Sequence, residues 1–325
     1  MFKICMIGCG AMAKTGHAPS VKKYAAETSD TVLAACCDVD IKKAQLFKEE
    51  FGFVHAYTDY QEMLAEEKPD VVLILVSVKL TAKIAVDVMN QGYSVIMEKP
   101  PGMNIQEAKK IHECAVRNNV HARVAFNRRY MPLIQALVDE IRACGKMIHH
   151  ADCHFIRCTR TESDFCTTAI HGIDTMKYII GSDYKKATFT YQDYVYQESQ
   201  ICNYYIAAEF ENSATANINF IRCGGCVVER IHVSAEDYTF FVELPVWGGM
   251  DIPGKITCSY MGNVYKTIIG DKDAMYECSG FYDENVTFFE KLRSGAVPFS
   301  DVATGIQSVE IADLLRNRVK EYVKE

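Results

Sequence analysis

Two patterns of apolar and polar positions divide the chain. Up to about residue 126, short apolar runs alternate with stretches whose apolar residues recur at helical spacing. Strands are expected at 2–7, 31–37, 71–76, 93–97 and 121–126. Helices are expected at 42–51, 60–67, 81–91 and 105–118, the first three ended in turn by Gly52, Pro69 and Gly92. Gly16 and Pro19 predict a short first helix, a break near His17, and a second helix from about Ser20. The run Val71-Val72-Leu73-Ile74-Leu75-Val76 is apolar on both faces, as a central parallel strand requires. Strand–helix alternation of this kind builds a doubly wound parallel sheet. After about residue 145 the period changes to two. Strands are expected at 147–158, 186–197, 201–211, 214–222, 227–234, 238–244 and 264–269, with helices at 168–180, 281–293 and 302–320. The fold class is therefore α/β followed by α+β: a Rossmann-type parallel sheet over residues 1–124, then a mostly antiparallel open-sheet domain over 125–325.

The first strand runs into Gly8-Cys9-Gly10-Ala11-Met12-Ala13, a G-x-G-x-x-A turn. Gly8 allows the tight turn, Gly10 lets backbone approach a pyrophosphate, and small Ala13 lets helix and strand pack closely. N–H groups at this helix start, from Ala11, Met12 and Ala13, are expected to hold the phosphates. The second strand ends at Asp38, whose carboxylate can accept hydrogen bonds from the adenosine ribose. It lies further past Gly10 than the usual ~20 residues, which a long first crossover explains. Asp38 could instead only cap the next helix, a task open to Asp40. A carboxylate repels a 2′-phosphate, so NAD is expected, with NADP possible if Lys42 and Lys43 offset the charge.

Composition narrows the classes. The 325 residues, 49% hydrophobic and 24% charged, suit a globular chain of one large or two ordinary domains. A net charge of −7, from 35 basic and 42 acidic residues, argues against nucleic-acid or anionic-membrane partners. The sequence contains no apolar run long enough to span a bilayer, and its first apolar run is too short and too interrupted for a signal peptide. The 14 cysteines are scattered through expected strands and helices, which fits small buried apolar residues in a reducing cytoplasm. Cys223-Gly-Gly-Cys226 lacks a second ligand pair, so no metal is expected.

Two clusters can carry chemistry. Glu98-Lys99-Pro100 follows the 93–97 strand, and ligands of such sheets bind beyond the strands' carboxyl ends. An ammonium there can polarise a carbonyl or lower a hydroxyl's pKa. Alternatively Lys99 is a surface loop lysine. In the 168–180 helix, His171, Asp174 and Tyr178 fall near one side. A histidine suits acid–base work near neutral pH, and Asp174 can hold the imidazole or a substrate hydroxyl; a hydrogen-bonded helix-surface pair is the other reading.

Together, the strand–G-x-G-x-x-A turn, the E-K-P, Ala125-Phe126-Asn127-Arg128-Arg129-Tyr130 and the helical H-x-x-D resemble the glucose–fructose oxidoreductase / inositol dehydrogenase / MocA (Gfo/Idh/MocA) family over essentially the whole chain. The resemblance implies NAD(P)-dependent hydride transfer at a carbon of a sugar, cyclitol or related polyhydroxylated molecule. It implies Lys99 as the active-site lysine, His171 as the acid–base histidine, Asp174 as the substrate-binding aspartate, and Asn127 and Arg128 near the cofactor. Two positions depart. Thr167 stands where relatives carry an aspartate four residues before the histidine. Val76-Ser77-Val78-Lys79-Leu80-Thr81 replaces a T-P-N-x-x-H, which leaves Ser77 beside the cofactor's ribose and nicotinamide. These departures keep two alternatives open: a cofactor-binding sensor without catalysis, and an enzyme that oxidises one carbon transiently to permit elimination elsewhere. Alternating Tyr204, Ile206, Ile218 and Phe220 suggest a sheet face buried against a second copy, in a homodimer or homotetramer, unless that face packs inside the monomer.

Overall fold

A computed structural model of the protein describes residues 1–271 and 274–324. In chain order, β1 (Phe2–Ile7) leads into a π-helical turn (Ala13–His17) and α1 (Ala18–Glu27). There follow β2 (Thr31–Cys37), α2 (Ile41–Phe51), β3 (His55–Tyr57), α3 (Tyr60–Glu67), β4 (Val71–Ile74), α4 (Val78–Asn90), β5 (Ser94–Met97), α5 (Ile105–Asn118) and β6 (Ala122–Val124). A 3₁₀ turn (Asn127–Tyr130), α6 (Pro132–Cys144), β7 (Ile148–Ile156) and α7 (Cys166–Ile180) come next. Then run β8 (Tyr184–Tyr196), β9 (Ser199–Phe210), β10 (Thr215–Ile221), β11 (Val228–Ala235), β12 (Tyr238–Leu244), β13 (Lys255–Tyr260) and β14 (Asn263–Ile269). The last elements are α8 (Met275–Cys278), α9 (Phe281–Arg293), α10 (Val302–Arg316) and β15 (Glu321–Val323).

The chain forms two compact units, Met1–Asn127 with Gly280–Val309, and Arg128–Ser279 with Glu310–Glu325. The expected division was 1–124 and 125–325. The return of 280–309 to the first unit was not legible in the sequence. Its cause is packing: Phe288 and Phe289 are fully buried in one cluster with Phe2, Tyr24 and Phe47, and Phe289 meets Phe2 and Tyr24 with ring centroids 5.8 and 5.1 Å apart.

The first unit holds a six-stranded parallel sheet in the order β3-β2-β1-β4-β5-β6. The order reverses between β1 and β4, and ligands of open α/β sheets bind at that switch, beyond the carboxyl ends. β4 is buried at every position, as its unbroken apolar run requires. Asp40 caps α2 by accepting N–H bonds from Lys42 and Lys43, which leaves Asp38 free of capping duty. The helix break expected near His17 does not occur. The chain instead absorbs one extra residue in a π-turn and continues into α1, with Pro19 in the first turn, where its missing N–H costs nothing.

The second unit holds a nine-stranded sheet, β14-β13-β12-β11-β7-β10-β9-β8-β15. All its neighbours are antiparallel except β7 and β10. The face expected to meet a second copy is corrected here. Tyr204, Ile206, Ile218 and Phe220 are buried within the monomer. α7 packs against β7 and β10 on this face, so closely that a Cβ on Gly172 would sit 2.8 Å from the Phe220 ring. Side chains alternate across a strand, so the outward face carries the intervening residues: His150, Asp152 and His154 of β7, and Thr215, Asn217 and Asn219 of β10. Among the described residues, no helix is long and apolar enough to cross a membrane, and no cluster of three or more His, Cys, Asp or Glu is arranged to hold a metal ion.

Candidate functional site

In the first unit the candidate residues line one edge of the sheet. β1 ends at Ile7, and Gly8 donates its N–H to the Cys37 carbonyl at 2.8 Å. Gly8 adopts φ +99°, and a Cβ there would lie 2.4 Å from the Leu75 carbonyl oxygen. Only glycine fits, because both the left-handed backbone and the neighbouring strand exclude a side chain. Gly10 is the opposite case: a Cβ built on it meets nothing within 4 Å. The turn therefore has an open outer side, bounded by a helix start. The first intrahelical bond there runs from Lys14 N–H to Gly10 O, so the N–H groups of Ala11, Met12 and Ala13 precede the ladder. Ala11 and Met12 are exposed and Ala13 is fully buried. An open glycine turn followed by unladdered N–H groups fits a dinucleotide's pyrophosphate. Gly10→Val should leave the melting temperature nearly unchanged while weakening NADH binding by on the order of tenfold or more, read by nucleotide fluorescence.

Asp38 is bonded into the glycine turn. Its Oδ2 accepts the N–H of Cys9 at 3.0 Å, which ties the end of β2 to the glycine turn, and its Oδ1 accepts the N–H of Asp40 at 3.2 Å. Lys43 Nζ lies 3.1 Å from Oδ2. Burial pushes the Asp38 carboxyl up, but these N–H groups and the ammonium outweigh it and hold the group below the usual carboxylate range.

Ser77 is exposed at the start of α4, just past β4. Glu98 and Lys99 follow β5, where Glu98 donates its N–H to the Ile74 carbonyl across β4. Glu98 is buried and Lys99 half-buried. Glu98 Oε1 lies 3.2 Å from His17 Nε2, and Oε2 accepts the Lys99 N–H at 3.1 Å. Burial would raise the Glu98 carboxyl; the His17 hydrogen bond and the Lys99 charge reverse that and lower it. Asn127 is buried at the end of this unit's longer segment.

In the second unit α7 carries His171 and Asp174, one turn apart and both buried. The two therefore do not form an exposed helix-surface pair. Arg129, from the turn after β6, grips Asp174 with both ends of its guanidinium: Nε to Oδ2 at 2.8 Å and Nη2 to Oδ1 at 2.6 Å. Gln135 of α6 donates to the Arg129 carbonyl and to Tyr178 Oη, which joins the same network. Thr167 donates its hydroxyl to the Asp164 carbonyl at 3.0 Å. Arg128 turns to Glu229 of β11, donating Nε to Oε2 at 2.7 Å; Arg157 donates to Oε1 of the same carboxylate. Glu229 is fully buried. Burial opposes its ionisation, yet the two guanidiniums hold its carboxyl below the ordinary range. Arg129, Glu229, Arg157 and His17 were not singled out from the sequence. The doubled arginine after Phe126 hints at Arg129; Glu229 carries no local signal, since its partners lie 101 and 72 positions away.

Glu229, Glu98 and Asp38 share one sign. Each carboxyl is lowered in the fold, so the stability it adds is complete above the unfolded values of 3.8 to 4.5 and is lost as pH falls from there through the lowered folded values. Thermal melts between about pH 7 and pH 3 should show a falling midpoint below about pH 4.5. Glu229→Gln should be less stable at neutral pH and should lose less on acidification.

Residues 2–126 match the model of an oxidoreductase family with an NAD-binding Rossmann fold, Gfo/Idh/MocA. The rhizopine catabolism protein MocA of Rhizobium meliloti is 26% identical over 192 residues, covering 56% of this chain and 58% of the relative. An inositol 2-dehydrogenase of Salmonella typhimurium is 25% identical over 192 residues, covering 56% of each. The chain thus spans little more than half the length of the curated relatives it matches. A solved levoglucosan dehydrogenase in complex with NADH superimposes with TM-score 0.80 at 16% identity, covering 99% of this chain and 98% of that one, a likeness of fold. Residues 2–126, which carry the open glycine turn and the acid that closes β2, are thus similar to the Gfo/Idh/MocA oxidoreductases with an NAD-binding Rossmann fold.

Proposed function

We propose that the protein is an NAD(P)-dependent dehydrogenase acting on a CH–OH carbon of a sugar, cyclitol or related polyhydroxylated molecule. The observation that carries this reading is the glycine turn, open at Gly10 and tied through Cys9 to Asp38, on the sheet edge that also bears Glu98 and Lys99. The names of the relatives, an inositol 2-dehydrogenase among them, supply the substrate class. The Ala11–Ala13 N–H groups would hold the pyrophosphate, Asp38 the adenosine ribose, and Ser77, Asn127 and Arg128 the parts nearer the nicotinamide. The bound nicotinamide supplies or accepts the hydride. Lys99 binds the substrate oxygen and stabilises the charge that develops as its proton leaves. His171 accepts that proton on oxidation and returns it on reduction. Asp174, held by Arg129, keeps α7 and its imidazole in register.

A panel of sugars and cyclitols with NAD, followed by NADH absorbance, tests this reading. NADH binding without turnover of any member supports the sensor instead, to which Thr167 in place of a carboxylate lends weight. Conversion of substrate without net NADH supports transient oxidation. For the cofactor, Asp38 repels a 2′-phosphate while Lys43 partly neutralises it. A kcat/KM ratio favouring NAD by about tenfold is expected, narrowing in Asp38→Ser; faster turnover with NADP would overturn it. Self-association, as dimer or tetramer, would use the outward face of the nine-stranded sheet, and sedimentation as monomer at micromolar concentration would refute it.

A further inference from the structure

His17 closes the π-turn that follows the glycine turn, and it is wholly buried. A π-turn takes in one extra residue and so moves the next side chain around the helix axis relative to a regular α-turn. Here it aims the imidazole at the β5 end: Nε2 lies 3.2 Å from Glu98 Oε1. On the other side, Nδ1 lies 3.4 Å from Asn285 Nδ2. Asn285 also donates Nδ2 to Ser20 Oγ at 2.9 Å, and Ser20 donates its hydroxyl to the Phe281 carbonyl at 3.2 Å. This chain of bonds assigns the proton. Ser20 has used its own hydrogen, so it must receive one from the Asn285 amide nitrogen, and the same nitrogen faces His17. Nδ1 is then an acceptor, and the imidazole proton sits on Nε2, aimed at Glu98. The Phe281 ring meets the imidazole edge-on, with centroids 4.9 Å apart at 82°. Glu98 passes the constraint on by accepting the Lys99 N–H through Oε2.

A buried imidazole and a buried carboxylate are costly unless paired. Here the pair lies behind the turn that carries Lys99. We propose that His17 is a positioning residue: by donating to Glu98 it fixes the carboxylate that holds the Lys99 amide, and so sets where the Lys99 ammonium stands. The inference rests on Lys99 being the group that meets the substrate oxygen.

The test uses the full chain as His17→Leu, which removes the donor, and His17→Gln, whose amide N–H can still reach Glu98. Trace labelling with acetic anhydride from about pH 7 to pH 11, read by mass spectrometry of the Lys99 peptide, reports that ammonium's surroundings without any turnover. In His17→Leu the Lys99 labelling rate should change by about threefold or more while other lysines keep theirs, and His17→Gln should restore it. Where a substrate has been identified, kcat should fall on the order of tenfold with KM little changed. Wild-type Lys99 labelling in His17→Leu, even with a lowered melting temperature, would reduce His17 to a packing residue and overturn the proposal. So would failure of His17→Gln to restore labelling in a protein that melts as wild type does. If His17→Leu does not fold, Glu98→Gln should change Lys99 labelling in the same way, and an unchanged rate would again refute the idea. Lack of turnover and of NADH binding in the wild type would defeat the dehydrogenase reading and leave the labelling contrast intact, so the two failures are told apart.

Discussion

Lys99→Ala should lower kcat by about 10²- to 10⁴-fold, the range of a lost general acid–base or charge-stabilising group, or ~3–5 kcal/mol of barrier. His171→Ala should fall in the same range. Neither change should abolish NADH binding, because the glycine turn and Asp38 stay in place. Lys99 is half-buried in a turn, so its truncation opens little cavity, and melting should shift by less than about 1 kcal/mol. Steady-state kinetics with a substrate found by the panel, beside fluorescence titration with NADH, separates the effects. Wild-type rates in both variants would remove these residues from the chemistry.

Glu229→Ala should produce the largest loss of stability. The carboxylate is fully buried and holds Arg128 and Arg157, whose own side chains are nearly so. Both guanidiniums also lie over the Phe155 ring, at 5.5 and 5.1 Å. Removing the acid takes away the counter-charge that the two buried cations share, which costs about 3–5 kcal/mol. For a chain of this size that is a fall of roughly 10 °C in melting temperature. Because Arg128 is also a candidate cofactor contact, NADH affinity should drop alongside stability. Calorimetry showing a shift below about 1 kcal/mol would mean the arginines find other partners.

Much of the architecture was legible because local patterns write it. Tyr60–Glu67, Ile105–Asn118, Tyr238–Leu244 and Phe281–Arg293 form where spacing and turn residues put them. α6 was overlooked although Pro132 opens it and Gly145 closes it, and β13 was hidden by the neighbouring Pro253 and Gly254. β3 and β15 are three residues each, too short for a period to show. In the candidate site, Gly8, Gly10 and Asp38 stood out because they lie in one β–α–β unit, whereas the partners of Asp174, Arg128 and Glu98 are distant in sequence.

The sequence by itself determined the two sheets and the glycine turn, since hydrophobic period and turn chemistry act over a few residues. Tertiary structure alone decided which face of each strand is covered, that Arg129 holds Asp174, that two arginines share Glu229, and that His17 stands behind Glu98. A strand's faces differ by one residue of register, and an ion pair needs only proximity in space. Neither leaves a periodic mark along the chain.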